Sequence, residues 1–174
     1  YSVHIYWDYF GTRPGTGPDK FEQRLQEVLR FVRGLRNTRD KPIFITEYGV
    51  RGHPGPRKLP APGIFDDGTP EGIPMSETKI AAFQQAWFLI RSMQLGYLGT
   101  IKWDCFYGMY DSGYRKKHYV IGPPTSEGWT AHPTYHLLRL FTLTTGVGWQ
   151  VVEVARKPAA RTKQLVAAKG PGNA

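Results

Sequence analysis

Four residues of this 174-residue chain have types and positions suited to joint work on one small ligand: Glu47, Tyr6, His4 and Trp103. A carboxylate such as Glu47 can attack an electrophilic carbon or stabilise a developing cation, and a phenol such as Tyr6 can orient it by hydrogen bonding. His4 can donate to a hydroxyl or to a neighbouring carboxylate. Trp103 offers a broad flat face, suited to the apolar side of a sugar ring and unsuited to a phosphate. One carboxylate is half of a glycosidase, since both stereochemical routes normally use two flanking the scissile bond. No convincing second carboxylate accompanies Glu47.

All four lie in short segments that read as strands: Ser2-Val-His-Ile-Tyr6, Lys41-Pro-Ile-Phe-Ile-Thr-Glu47 and Thr100-Ile-Lys-Trp-Asp-Cys-Phe106. Side chains alternate along a strand, so His4 and Tyr6 share one face with Asp8, while Val3 and Ile5 share the other. The same rule groups Ile43, Ile45 and Glu47, and groups Ile101 with Trp103. With the apolar members directed into a barrel interior, Glu47, Tyr6 and Trp103 crown it together, because neighbouring strands lie about 4.8 Å apart.

Helical patterns separate these strands. Asp19 with Glu22 makes a capping-box-like start, after which Phe21, Leu25, Val28, Leu29, Val32 and Leu35 form one apolar stripe. Ser76 is expected to cap a second helix with Ile80, Phe83, Trp87, Ile90 and Met93 along its stripe. Pro133 suits the first turn of a third, with Leu137, Leu138 and Phe141 on its apolar face and Gly146 at its end. Two long loops rich in Gly and Pro, Tyr48 to Pro74 and Tyr107 to Thr130, follow the second and third strands, and loops of that length inside a domain are usually functional. The alternation of strand and helix implies an α/β fold with parallel strands joined by right-handed crossovers, either a barrel or an open doubly wound sheet. After Gly148 the pattern changes to two short strands, Trp149 to Val154 and Gln164 to Ala168, around a Lys/Arg/Pro turn.

His-Ile-Tyr at 4–6, Phe-Ile-Thr-Glu-Tyr-Gly at 44–49 and Ile-Lys-Trp-Asp at 101–104 resemble strands six, seven and eight of the clan of retaining glycoside hydrolases with a (β/α)8 barrel, the clan of the cellulase-like family 5 and family 39 enzymes. The helix near His132-Pro-Thr-Tyr-His136 resembles that barrel's closing helix, and the strands after Gly148 resemble the small β-sandwich often appended to it. The resemblance implies the C-terminal portion of a TIM barrel over residues 1–147 and the start of a β-sandwich over 148–174. It also implies that Glu47 is the nucleophile, that Tyr6 bonds it, that His4 helps shape the sugar subsite and that Trp103 forms its floor. The acid/base glutamate of such enzymes has no match here and is expected upstream of Tyr1. The activity implied is hydrolysis of O-glycosidic bonds in a poly- or oligosaccharide or glycoside, with no cofactor and no metal. The alternative is a carbohydrate-binding or catalytically inactive barrel relative. Arg51, His53, Asp66, Asp67, Tyr107, Tyr110 and Asp111, on the two long loops, would build the cleft.

Composition bounds these readings. A full (β/α)8 barrel takes about 250 residues, so this chain holds at most part of one. It opens on Tyr1 without a methionine or a signal-like segment, and the natural N-terminus is expected to lie upstream. The net charge of +9 raises nucleic acid as a partner. The densest basic run, Arg30, Arg33, Arg36, Arg39 and Lys41, falls late in a helical pattern, where cations complement the helix dipole and face water, so no nucleic-acid partner is expected. No apolar run approaches the roughly 18 residues that span a bilayer, so no membrane role is expected either. The single cysteine, Cys105, reads as a buried small hydrophobe and leaves the compartment open, although secretion would suit a polysaccharide-cleaving enzyme. His132 and His136 stand four apart without the glutamate of a metalloprotease helix, Asp66-Asp67-Gly68 lacks calcium-loop spacing, and Arg115 to His118 reads as a solvated loop. Trp7 and Trp87 are expected to pack in the core.

Overall fold

Alternation in β1 (Ser2–Trp7) buries Ile5 and Trp7 on one face and leaves His4 on the other. The computed structural model of the protein describes residues 1–7, 17–50, 78–103, 105, 120–126, 128–146, 149–152 and 167–169. Helix α1 (Pro18–Gly34) buries Phe21, Leu25, Leu29 and Val32, the stripe expected of an amphipathic helix. Its start differs from the capping box. Proline, with its fixed φ and missing N–H, suits a first turn, so the helix begins at Pro18 with Gly17 as an N-cap that makes no side-chain bond. Asp19 lies in the first turn, where its charge complements the dipole, and Glu22 instead pairs with Arg91 of the next helix. Beyond the helix, buried Thr38 donates its hydroxyl to the carbonyls of Val32 and Leu35, which satisfies acceptors at the helix end.

Strand β2 (Phe44–Val50) runs three residues past Glu47 into the segment expected to be loop. Helix α2 (Lys79–Leu95) is capped by Thr78, whose Oγ1 accepts from the Ala81 amide at 3.0 Å; Ser76, the expected cap, lies outside the described residues. Gly96 closes the helix at φ 87°, a left-handed conformation that favours glycine. The buried band of α2 includes Ala81, Gln84, Gln85, Phe88 and Ser92, and Phe83 is 56% exposed. Ile80 and Trp87 of the expected stripe are buried too, so the packed surface is wider than that stripe and extends to Gln84, Gln85 and Ser92, with Phe83 left outside it. The cause is that α2 has two neighbours: Phe88 stacks on Trp7 and Tyr48 of the sheet, while Gln85 Nε2 donates to Thr134 Oγ1 at 2.9 Å.

Strand β3 (Gly99–Lys102) is shorter than expected, and Phe44 lies so close to Gly99 that a Cβ there would sit 3.2 Å from Phe44 Cδ1. The three strands form a parallel sheet in the order β1-β2-β3. Trp7 contacts both Phe21 of α1 and Phe88 of α2, with ring centroids 4.9 and 5.0 Å apart, so both helices cover the same face of the sheet. Ile43, Ile45, Tyr48, Trp87 and Tyr97 complete that core, and Leu138 and Phe141 of the third helix pack against it.

The expected loop from Tyr107 to Thr130 contains an antiparallel hairpin, β4 (Ile121–Thr125) and β5 (Gly128–Ala131). Pro123 and Pro124 conceal it in the sequence, since proline argues against a central strand but is tolerated in a two-stranded ribbon with free edges. Helix α3 (Pro133–Thr144) follows, with buried His132 as its N-cap and Thr145 as its C-cap. Two short antiparallel strands, β6 (Gln150–Val152) and β7 (Ala167–Lys169), pair separately from the main sheet. Cys105 is exposed, contrary to the buried position expected for it, because β3 ends at Lys102 and no longer carries it into the sheet. Among the described residues no helix is long and apolar enough to cross a membrane.

Candidate active site

Because β1 and β2 are parallel, their C-terminal ends lie along one edge of the sheet, with His4 opposite Glu47 and Tyr6 opposite Gly49. A regular β2 would place Glu47 on the same face as Ile43 and Ile45, as expected from alternation. Both isoleucines are buried in the helix-covered core, where an ionised carboxylate without partners would be costly. The structure corrects that grouping. The pairing shifts register between Val3 and His4 on one side of β2 and between Ile45 and Tyr48 on the other. Ile45 and Tyr48, three residues apart, are therefore both buried, and Glu47 emerges half-buried on the open face. An extra residue in a strand re-aims the side chains that follow it, and here it turns the carboxylate away from the helices.

On that face Tyr6 donates its hydroxyl to Glu47 Oε2 at 2.9 Å, and His4 Nδ1 lies 3.2 Å from the same oxygen. The Glu47 side chain is 28% exposed and that of His4 55%. Two groups thus hold one carboxylate oxygen, while Oε1 carries no hydrogen bond from a described residue. A carboxylate fixed in this way can present its second oxygen to an electrophilic centre or to a proton.

Trp103 follows β3 directly and is half-buried; its backbone amide donates to the Tyr48 carbonyl at 3.4 Å, which sets it one strand away from Glu47. The structure therefore joins Glu47, Tyr6 and His4 through their side chains and brings Trp103 alongside through the backbone. Sequence reading overlooked Lys102. Its Nζ lies 5.7 Å from the centroid of the Tyr48 ring and donates to the Trp103 carbonyl. The available signal was a lysine between the apolar Ile101 and Trp103 of a strand. Burial pushes the Tyr48 phenol far above its ordinary range, with Cys105 adding in the same direction.

Asp8, Arg51, His53, Asp66, Asp67, Tyr107, Tyr110 and Asp111, expected near the cleft, lie outside the described residues, as do Gly68 and the Arg115 to His118 segment. His132 is buried while His136 is exposed against the edge of the Tyr135 ring, so the two do not face a common ligand position. Among the described residues no group of three or more His, Cys, Asp or Glu side chains could hold a metal ion. No protein-family model matches the chain, and no curated protein matches it.

Proposed function

We propose that this protein hydrolyses O-glycosidic bonds in a poly- or oligosaccharide or glycoside by retaining double displacement, with Glu47 as the nucleophile. The observation that carries this reading is the arrangement at Glu47, at the C-terminal ends of parallel strands: Oε2 is held by Tyr6 and His4, and Oε1 carries no hydrogen bond from a described residue. Chemistry in parallel α/β folds sits at those ends. In the proposed reaction Oε1 bonds to the anomeric carbon as the glycosidic C–O bond breaks, and the leaving oxygen takes a proton from a second carboxylic acid about 5–5.5 Å away. Water, losing a proton to that second group, then displaces Glu47 from the sugar with net retention and restores both groups. Trp103 would stack on the apolar face of the bound ring.

The architecture supports placing these residues in the C-terminal portion of a (β/α)8 barrel, strands six to eight, with β6 and β7 opening a β-sandwich. A doubly wound sheet reverses its strand order and carries helices on both faces. Here the strands are neighbours in sequential order and both crossover helices cover one face, the unit that a closing barrel repeats. The other face exposes Phe44 and leaves Ile101 59% exposed. All-parallel sheets are normally covered on both faces, so further strands closing over this side would fit it.

A second reading, a carbohydrate-binding or inactive relative, is favoured by one observation: Glu47 is the one carboxylate among the described residues at these strand ends. The full-length gene product separates the two. For the hydrolase, Glu47→Gln reduces cleavage of a panel of aryl glycosides below detection while far-UV circular dichroism stays unchanged. Near-normal turnover by that variant removes Glu47 from the mechanism, and glycan binding by the parent without any turnover establishes the second reading.

A further inference from the structure

Lys102 occupies the fourth and last position of a four-residue strand, on the side away from Ile101 and Trp103, directly across the ladder from Tyr48. A lysine at a half-exposed strand end can extend into water. This one turns inward, with its ammonium over the buried Tyr48 ring and donating to the Trp103 carbonyl. Tyr48 in turn is fixed by stacking on Phe88, with centroids 4.7 Å apart, and its carbonyl accepts from the Trp103 amide. Both backbone polar groups of Trp103 are thereby tied to the Tyr48–Lys102 pair, just beyond the last ladder residue of β3. Glu47 immediately precedes Tyr48. One pair on the helix-covered side therefore governs the separation of two residues on the open side.

We propose that Lys102 is a positioning residue, clamping the end of β3 to Tyr48 and so setting the place of the Trp103 indole relative to Glu47. The proposal rests on the reading of Trp103 as a sugar platform for its functional meaning, although the clamp itself needs no substrate to be tested. An ammonium over an aromatic face is attracted by the ring quadrupole, and a guanidinium reaches the same position. Arginine should therefore substitute for lysine where an apolar side chain cannot.

The test uses the chain labelled with 5-fluorotryptophan, whose five tryptophans report separately by fluorine NMR, with Trp103→Phe assigning the Trp103 line. Lys102→Met is expected to shift or broaden the Trp103 line more than any other, and Lys102→Arg to return it to the parent position. A Trp103 line unmoved in Lys102→Met overturns the proposal, and so does one displaced equally by Lys102→Arg. Where Lys102→Met collapses all lines through unfolding, Lys102→Gln, polar and uncharged, carries the same comparison with the same two outcomes. Glycoside turnover by Glu47→Gln decides the hydrolase reading independently, so failure of the clamp and failure of that reading are separate results.

Discussion

Tyr6→Phe removes one hydroxyl and, with it, the hydrogen bond that Glu47 Oε2 accepts at 2.9 Å. A hydrogen bond to a charged group contributes about 1.5–3 kcal/mol. Glu47 keeps 28% of its side-chain surface, so water replaces part of the lost interaction and the lower end, about 1.5 kcal/mol, is expected. His4 stands further off, at 3.2 Å, and is 55% exposed. Solvent screening limits its contact with Glu47 to at most the range of exposed polar pairs, about 0.2–1 kcal/mol, so His4→Ala should cost less than Tyr6→Phe. Combining Tyr6→Phe with Glu47→Gln closes a double-mutant cycle. The amide still accepts from the phenol, but a neutral bond is roughly half as strong as a charge-assisted one, which leaves a coupling of about 0.7 kcal/mol. Distant sites add within about 0.3–0.5 kcal/mol, so this coupling is resolvable. Urea unfolding at neutral pH, followed by circular dichroism and tryptophan fluorescence, supplies the four free energies through midpoints at constant slope. Additivity within 0.3 kcal/mol, or a larger loss from His4→Ala than from Tyr6→Phe, would refute the reasoning from distance and burial.

Alkaline stability tests a second site. Burial pushes the Tyr97 phenol up to about 12, with Arg33 pulling weakly the other way, and its hydroxyl donates to the Leu25 carbonyl at 2.9 Å. The folded state thus favours the protonated phenol, so this stabilisation is complete below the unfolded value near 10 and is lost as pH rises from there through about 12. Stability should fall in that window with a slope of up to about 1.4 kcal/mol per pH unit for this group, and Tyr97→Phe should flatten it; equal slopes in urea titrations across the window would contradict the assignment. In the core, Phe88→Ala removes a fully buried ring stacked on Trp7 and Tyr48 and should cost about 3–5 kcal/mol, with loss of near-UV ellipticity. A loss below about 0.5 kcal/mol, the range of surface substitutions, would show that the sheet and α2 are not held together by this contact.

The elements that were legible in the sequence are those whose packed face is apolar throughout. Helix α1 packs one face on the sheet, and its stripe of Phe21, Leu25, Leu29 and Val32 reads directly from spacing. Helix α2 was legible as a helix with Ile80 and Trp87 in its packed face, but not in the full width of that face. Buried Gln84 and Gln85 belong to its packed face through bonds to Trp7 Nε1 and Thr134 Oγ1, and periodicity counted as polar what pairing made suitable for burial. The hairpin of β4 and β5 was hidden because local proline chemistry argued against strands that only pairing with Gly128–Ala131 stabilises. Cys105 was misplaced for a related reason: its apolar neighbours suggested burial, but the strand stops three residues earlier.

The site itself was legible in composition and misread in one geometric step. His4, Tyr6 and Glu47 were grouped from residue type and strand ends, and their side chains do meet. Strict alternation nevertheless assigns Glu47 to the face of Ile43 and Ile45, and following it would bury the carboxylate under α2. A period of two holds only while every residue has one partner across the ladder. The pairing of β2 breaks this condition on both sides, once against β1 and once against β3. A two-sided shift at the residue before Tyr48 lets the buried aromatic keep its stack on Phe88 while the acid keeps its donors on the opposite face. Neither demand is met by a regular strand, because Glu47 and Tyr48 would each be moved to the other's environment. The irregularity is therefore required by two core residues three apart, Ile45 and Tyr48, with the carboxylate on the opposite face between them. Deleting Thr46 makes Ile45, Glu47 and Tyr48 consecutive, so regular alternation should keep Tyr48 in the core and Glu47 on the open face; loss of both interactions, registered by unfolding free energies and the Trp103 fluorine line, would refute this account of the shift.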